Sequence, residues 1–396
     1  MRIVLVSSWP TDVIGGSGTA VYFNALHDGL RDRGYEVEAI TPNFDITDYV
    51  EVTLKRFLFN TELRTDPRVL SADLVFGFDY DGYGLDNANR PPMITTAHAV
   101  YGDVIRWESE PARTMVEAQA FFDRVAMQKA DRITIGSQYA KERLVTLYGL
   151  EADKIEVIPH GMLQPGWLRL LRSEPRVEND HPVILSVGKM YPRKRTNILL
   201  EALALLRNKY PTLELRIVGD GLEWDRLHAV ADQLKVQDRV TWLGHIADDR
   251  AFAREWRQAD ILCHPSCQET FGYVYLEAMT AGLPIVAARA GAAPEVLDDA
   301  ALLAEPENPQ SLAEALDRFL QDEVLRQRYA RRAEARAGQF SHARMIDQYV
   351  RLIEEVIANA DSRRREGASL SPTGWPKAES PLHFSFSAMR RMRGRG

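Results

Sequence analysis

Short apolar runs alternate with longer stretches of helical spacing along most of the chain. Ile3–Val6 is an unbroken apolar run and reads as a buried strand. Thr19–Arg33 follows with Tyr22, Leu26 and Leu30 at helical spacing, and Gly34 stands where a helix end takes glycine. Tyr35–Ile40 alternates and reads as a second strand. Leu74–Phe78, Met93–Thr96, Arg132–Ile135 and Ile155–Ile158 continue the series, with helices between several of them. Alternation of this kind predicts a parallel sheet covered on both faces.

Around Gln164–Pro182 the pattern lapses into Pro, Gly and charged residues, and then restarts. Val183–Val187, Leu213–Val218, Arg239–Leu243, Asp260–Cys263 and Pro284–Ala287 read as strands, and Asn197–Lys209 as a helix. Pro309–Leu320, a second helix through Ala337, and His342–Ala358 close the series. The chain is therefore expected to be α/β, with a first lobe over 1–170, a linker over 171–182 and a second lobe over 183–340. A helix over 341–359 is expected to cross back to the first lobe. The segment 360–396, rich in Ser, Pro, Gly and Arg, is expected to be disordered. A cleft between the lobes is where a ligand would sit.

Composition narrows this frame. With 45% hydrophobic and 27% charged residues, the 396-residue chain is of ordinary globular make-up. The net charge of −7 disfavours a nucleic-acid partner held by a basic face. From Ala360 onward there are eight Arg/Lys against three acids, so the body up to residue 359 carries −12 and the tail +5. Cys263 and Cys267 are too few for a disulfide framework, which suggests a reducing, cytoplasmic setting. No apolar run reaches bilayer length, and Met1–Val6 reads as a strand, not a signal peptide. Trp375, Phe384, Phe386 and Arg390–Arg395 could meet an anionic membrane at its inner face, or the tail could simply be solvated.

The sharpest chemical feature is Glu269-Thr-Phe271-Gly272-Tyr-Val-Tyr-Leu-Glu277, just after the strand ending at His264. A helix over Gly272–Ala281 puts Glu269 ahead of its N-terminus and Glu277 inside it, roughly 10 Å apart along the axis. Free N–H groups between them make a phosphate site. Hydroxyls on both sides of a diphosphate, as in a nucleotide-sugar, would suit the pair; two solvated surface carboxylates are the alternative. Gly188-Lys189-Met-Tyr-Pro192-Arg193-Lys194-Arg195 adds a basic turn at another strand end, either a diphosphate clamp or a solvated charge run. Gly219-Asp220-Gly221 and Gly291-Ala-Ala-Pro294-Glu295 follow two further strands.

Val187–Leu297 resembles the retaining family 4 glycosyltransferases. Pro265–Ala278 matches that family's long Pro-Ser-x-x-Glu-x-Phe-Gly-x-x-x-x-Glu-Ala motif completely, and the likeness extends over roughly residues 1–355. The resemblance implies the GT-B fold, two Rossmann-like lobes with parallel sheets facing an interlobe cleft. It implies that Lys189 and Lys194 hold the donor diphosphate, with backbone at Phe271, Gly272 and the Gly-rich loop around Gly16. Glu277 would bind the ribose, the backbone of Ile246 would meet the base, and Glu269 and His98 would flank the donor sugar. Asp103 is a candidate acceptor-side group. Three positions depart from the pattern: Lys189 replaces Arg, Arg195 replaces Gly, and Ala292 replaces Gly.

The expected activity is retaining transfer of a sugar from a UDP- or GDP-linked donor to a hydroxyl of a glycan, lipid-linked or small-molecule acceptor. Departure and attack would share one face, with neither metal nor cofactor. A catalytically inactive nucleotide-sugar-binding or scaffold protein of the same fold is the alternative. Other constellations fit less well. Cys263-His264-x-x-Cys267 lacks a second ligand pair for structural zinc. Asp79-Tyr-Asp81 lies in the first lobe and reads as a turn. Gly16-x-Gly18 stands too far beyond its strand for a dinucleotide turn. The Glu269–Glu277 separation of roughly 10 Å exceeds that of hydrolase carboxyl pairs.

Overall fold

The computed structural model describes residues 1–9, 18–42, 44, 49–86, 90–110, 112–162, 164–176 and 179–369. The chain forms two compact units, Met1–Ile357, which holds both sheets, and Ala358–Gly396. The first lobe is built on β1 (Arg2–Val6), β2 (Glu36–Ile40), β3 (Leu74–Phe78), β4 (Met93–Ala97), β5 (Arg132–Ile135) and β6 (Ile155–Val157). They pair in parallel in the order β2-β1-β3-β4-β5-β6. The second lobe repeats the plan with β7 (Val183–Val187), β8 (Glu214–Val218), β9 (Val240–Gly244), β10 (Ile261–His264), β11 (Ile285–Ala288) and β12 (Ala301–Ala304). Their order is β12-β11-β10-β7-β8-β9, again parallel.

Central strands are buried at every position, as a sheet covered on both faces requires: β3, β4, β10 and β11 expose nothing. Edge strand β2 is largely half-exposed and keeps the polar alternation read from its sequence. The sequence reading missed β12. Ala301-Leu-Leu-Ala304 is made of helix formers, and only pairing with Ile285–Ala288 holds it extended.

Two boundaries differ from expectation. Gln164–Ser173, expected to end the first lobe and open a linker, is a helix. Leu171 is buried in the second-lobe core, with Trp167 and Leu170 packed against it at one-turn spacing. Trp167 sits 5.7 Å from Phe252 and 6.2 Å from Trp256, ring centre to ring centre, so this helix belongs to the second lobe. The last helix, expected to end near 359, runs from His342 to Ser369. Its final turns carry three successive arginines, Arg363–Arg365, and no apolar stripe, so no period marks them. The rest of the expected tail, 370–396, lies outside the described residues.

That helix completes the first lobe. Met345, Ile346, Tyr349, Leu352, Ile353 and Val356 are buried with Ile3, Leu5, Tyr22 and Phe76 in one core. The Tyr349 hydroxyl meets those of Tyr22 and, at 2.9 Å, Thr134. The chain passes between lobes twice, side by side. Met162 N–H donates to Phe340 O at 3.0 Å, and His342 N–H to Met162 O at 3.3 Å.

Candidate functional site

In parallel α/β sheets, ligands gather at the carboxyl ends of the strands. Here β10 ends at His264, and Pro265–Phe271 leads to the helix Tyr273–Ala281. Gly272, at φ 93°, turns the chain into that helix, where a residue with a side chain would be strained. The Glu269 carboxylate forms an ion pair with Lys194 and lies 2.8 Å from His264 Nε2. Burial alone would raise this carboxyl. The Lys194 ammonium and the His264 hydrogen bond instead hold it well below the usual carboxylate range. The loop after β11 grips its backbone, since Ala292 N–H donates to Glu269 O at 3.0 Å. A Cβ on Gly291 would lie 2.7 Å from Glu269 N, so the glycine of that motif serves close approach.

Glu277, about one turn inside the helix, is in the opposite condition. Burial lifts its carboxyl to about 7, and no cation among the described residues pairs with it. Trp167 Nε1–H donates to its backbone carbonyl at 3.4 Å. One ionised, paired carboxylate before the helix start and one unpaired inside it is the division that nearby carboxyl groups of different function show.

The basic turn after β7 is neutralised residue by residue. Lys189 Nζ lies 2.5 Å from Asp220 Oδ1, both groups substantially exposed. Arg193 lies 3.1 Å from Glu108, Lys194 pairs with Glu269, and Arg195 pairs with Glu307. Lys189 and Lys194, expected to act together, therefore hold different carboxylates, and only Lys194 faces Glu269. The strand ends converge through glycine: Gly219 N–H donates to Gly244 O at 2.7 Å. A Cβ on Gly219 would come 2.1 Å from Gly188 O. Ile246, two residues beyond β9, packs partly buried on the second-lobe core.

From the first lobe, His98 follows β4. Its N–H donates to Asp79 Oδ1 at 2.7 Å, as does that of Ala99 at 3.2 Å. Asp79 itself sits at φ 55°, a strained value for a residue with a side chain. The His98 ring lies edge-on to Tyr22 at 4.5 Å and parallel to Phe78 at 5.6 Å. Burial pushes the imidazole down to about 3, so it is neutral, and its buried Nε2 has no hydrogen-bond partner. His160, after β6, stacks between His98 and Tyr273 at 5.7 and 5.2 Å. Asp103 is buried and engaged by Tyr139 Oη at 2.7 Å, with Arg106 and Arg143 within ion-pair distance. It braces the first lobe and is not open to an acceptor.

Thr270 joins the halves. Its hydroxyl donates to His98 O at 2.6 Å, and its carbonyl accepts from Ser137 Oγ at 2.6 Å. Glu295 caps the first-lobe helix Gln138–Tyr148, accepting from Gln138 N–H at 2.8 Å and Tyr139 N–H at 3.0 Å. Glu269, Lys194, Phe271 and His98 are thus gathered around one junction. Gly16 lies outside the described residues. Sequence reasoning missed Asp79, His160 and Thr270 as parts of the site. Asp79 was read only as a turn, and Thr270 fills a variable position of its motif.

Residues 169–336 match the family model of glycosyl transferases group 1, and residues 16–162 that of glycosyltransferase family 4. An uncharacterized glycosyltransferase of Methanocaldococcus jannaschii is 26% identical over 360 residues, covering 81% of this chain and 90% of that protein. D-inositol 3-phosphate glycosyltransferase of Corynebacterium glutamicum is 28% identical over 293 residues, 70% of each chain. Among solved structures, sucrose-phosphate synthase from Thermosynechococcus elongatus superposes with a TM-score of 0.75 at 20% identity, covering 90% of this chain and 99% of that one. Anabaena HepE in complex with UDP-glucose gives 0.66 at 22% identity, covering 91% and 100%. These likenesses show the two-lobed GT-B fold.

Proposed function

The chain belongs to the family 4 glycosyltransferases, and we propose that it is a retaining enzyme moving a sugar from a nucleoside-diphosphate sugar to a hydroxyl acceptor. The observation that supports this most directly is the contrast between Glu269 and Glu277 on either side of one helix start. In this reading the donor diphosphate lies on the N–H groups from Phe271 onward, close to Lys194. Glu277 accepts hydrogen bonds from ribose hydroxyls, and the base meets the backbone at Ile246. Lys189 completes the phosphate contacts by exchanging Asp220 for the diphosphate.

The donor sugar then lies between Glu269 and His98. A neutral imidazole with a free ring nitrogen can hydrogen-bond a sugar hydroxyl without adding charge, and Asp79 fixes its backbone. Developing charge on the leaving diphosphate is stabilised by Lys194 and the helix start. Departure and attack share one face, a donor phosphate oxygen takes the acceptor proton, and no metal is needed. Closure of the lobes excludes the water that would otherwise hydrolyse the donor. We place this work in the cytoplasm, in keeping with two buried free cysteines; no helix among the described residues is long and apolar enough to cross a membrane.

The relatives named for D-inositol 3-phosphate make a phosphorylated cyclitol the first acceptor to try, and HepE makes UDP-glucose the first donor. The test is product formation from a panel of UDP- and GDP-sugars in excess chelator, read by mass spectrometry, with the product anomer assigned by NMR. A retained anomeric configuration is expected. Inversion, or strict dependence on manganese, would overturn the mechanism. Nucleotide binding without turnover on any donor would favour the inactive binding protein.

A further inference from the structure

The basic turn Arg193-Lys194-Arg195 faces two ways. Its backbone is fixed to the second lobe, because Cys267 N–H donates to Arg193 O at 2.9 Å. Lys194 points into the same lobe, at Glu269. The flanking arginines point across the junction instead. Arg193 Nη1 lies 3.1 Å from Glu108 Oε1, and the guanidinium of Arg195 lies 4.8 Å from the ring of Trp107. Trp107 ends a short turn, Ile105–Trp107, in the first lobe, less than a dozen residues beyond His98.

These contacts have features that surface pairs lack. The Glu108 side chain is only 4% exposed and that of Arg193 21%, so the pair is largely removed from water. Arg193 also lies over the Tyr191 ring, 4.7 Å from its centre. Arg195 occupies a left-handed conformation, φ 54°, that glycine would adopt without strain. Such a conformation persists where the surrounding structure holds it. Here the side chain reaches Trp107 and Glu307, one in each lobe.

We propose that Trp107 and Glu108 of the first lobe are positioning residues for the transfer reaction, acting through Arg193 and Arg195 to couple lobe closure to the Lys194–Glu269 site. Neither touches the donor. When the lobes close, the Arg193–Glu108 pair and the Arg195–Trp107 stack form together, and the segment carrying His98 is locked against the turn carrying Lys194. When they open, both arginines lose their first-lobe partners at once. The inference rests on the donor reading given above for Lys194, and it adds that a residue of the other lobe sets how completely the donor is enclosed.

The test compares Glu108→Gln, Arg193→Gln and the exchanged pair Glu108→Arg with Arg193→Glu, in the full chain, using UDP-glucose or whichever donor the panel identifies. Two rates are read from one reaction: sugar transferred to acceptor and donor lost to water. A tenfold weakening of closure lowers the closed fraction by up to about tenfold. Each single variant is therefore expected to lose about tenfold in kcat and to raise hydrolysis relative to transfer by a similar factor. Nucleotide affinity, measured by calorimetry, should stay within about threefold, because Lys194, Glu277 and the helix start are unchanged in every variant. The exchanged pair should recover most of the transfer-to-hydrolysis ratio.

A ratio unaltered in the single variants, or unrecovered in a folded exchange variant, overturns the proposal. Should the exchange variant fail to fold, Trp107→Leu decides the matter, since it removes the stack but keeps the ion pair. It should move the same ratio in the same direction, and an unmoved ratio overturns the proposal. Failure of the donor reading itself would look different. Lys194→Ala would then leave donor binding and transfer intact, whatever the Glu108 variants did.

Discussion

Replacing Glu277 by Gln should make the protein more stable and a poorer binder of nucleotide, and the gain in stability should depend on pH. In the folded chain burial lifts this carboxyl to about 7, well above its ordinary range. Between roughly pH 4.5 and 7 the folded state keeps a proton that the unfolded chain releases. Stability therefore falls as pH rises through that window, and the loss is complete above 7. At about 1.36 kcal/mol per pH unit, the ionised carboxylate costs the folded state about 3 kcal/mol.

Glutamine cannot ionise, so Glu277→Gln should recover about 3 kcal/mol at pH 8 and less than about 1 kcal/mol at pH 5. The corresponding rise in melting temperature is roughly 4–8 °C at pH 8, depending on whether the whole chain or one lobe unfolds as a unit. Thermal melts of both proteins at pH 5 and pH 8 measure it, and calorimetry with a UDP-sugar measures the binding cost. A nucleotide-sugar is the right titrant because its diphosphate is a diester without an ionisation near 7. A stability difference that stays flat from pH 5 to pH 8, or a variant less stable at pH 8, would refute the reasoning.

Two further substitutions separate the roles at the junction. Lys194→Ala leaves Glu269 buried without its cation; a fall of about 3–5 kcal/mol in stability is expected from chemical denaturation, together with loss of donor binding and transfer in steady-state assays. His98→Ala should lower kcat about a hundredfold with nucleotide affinity unchanged in calorimetry. Because the ring is neutral, with burial holding it down to about 3, the wild-type rate should show no ionisation near pH 6.5 that the variant lacks.

The amino-acid pattern was a good guide wherever burial imposed it. Central strands such as β3 and β11 are enclosed on both faces, and short apolar runs fill them. It failed where a segment's conformation is decided by its neighbours. Ala301–Ala304 is extended because of β11, and Gln164–Ser173 is helical with its apolar face on Trp256 and its neighbours. At the site, the motif identified Glu269 and Glu277 because a short stretch of chain carries both. Asp79, Thr270 and Glu108 act on groups 19, 133 and 85 residues away, and no local spacing marks such partners. The basic turn reads from sequence as either a diphosphate clamp or a solvated charge run, and the structure shows it neutralised. Each of its four cations has its own carboxylate, all of them remote in sequence, so the run of basic residues overstates the field in the fold.

The return of the last helix to the first lobe has a consequence for biosynthesis. A growing chain exposes β1 to β6 first, yet the core that Ile3, Leu5, Tyr22 and Phe76 share with Met345, Tyr349 and Ile353 cannot close until the last helix has emerged. The second lobe, whose core draws nothing from beyond Phe340 among the described residues, needs no part of that helix. About 180 residues separate β6 from that helix, a delay of roughly 10–40 s at 5–20 residues per second. During it the earlier-made half displays an apolar groove to solvent, and the later-made half has all its core residues by Phe340, ahead of the helix that closes the first, so order of synthesis and order of completion are reversed.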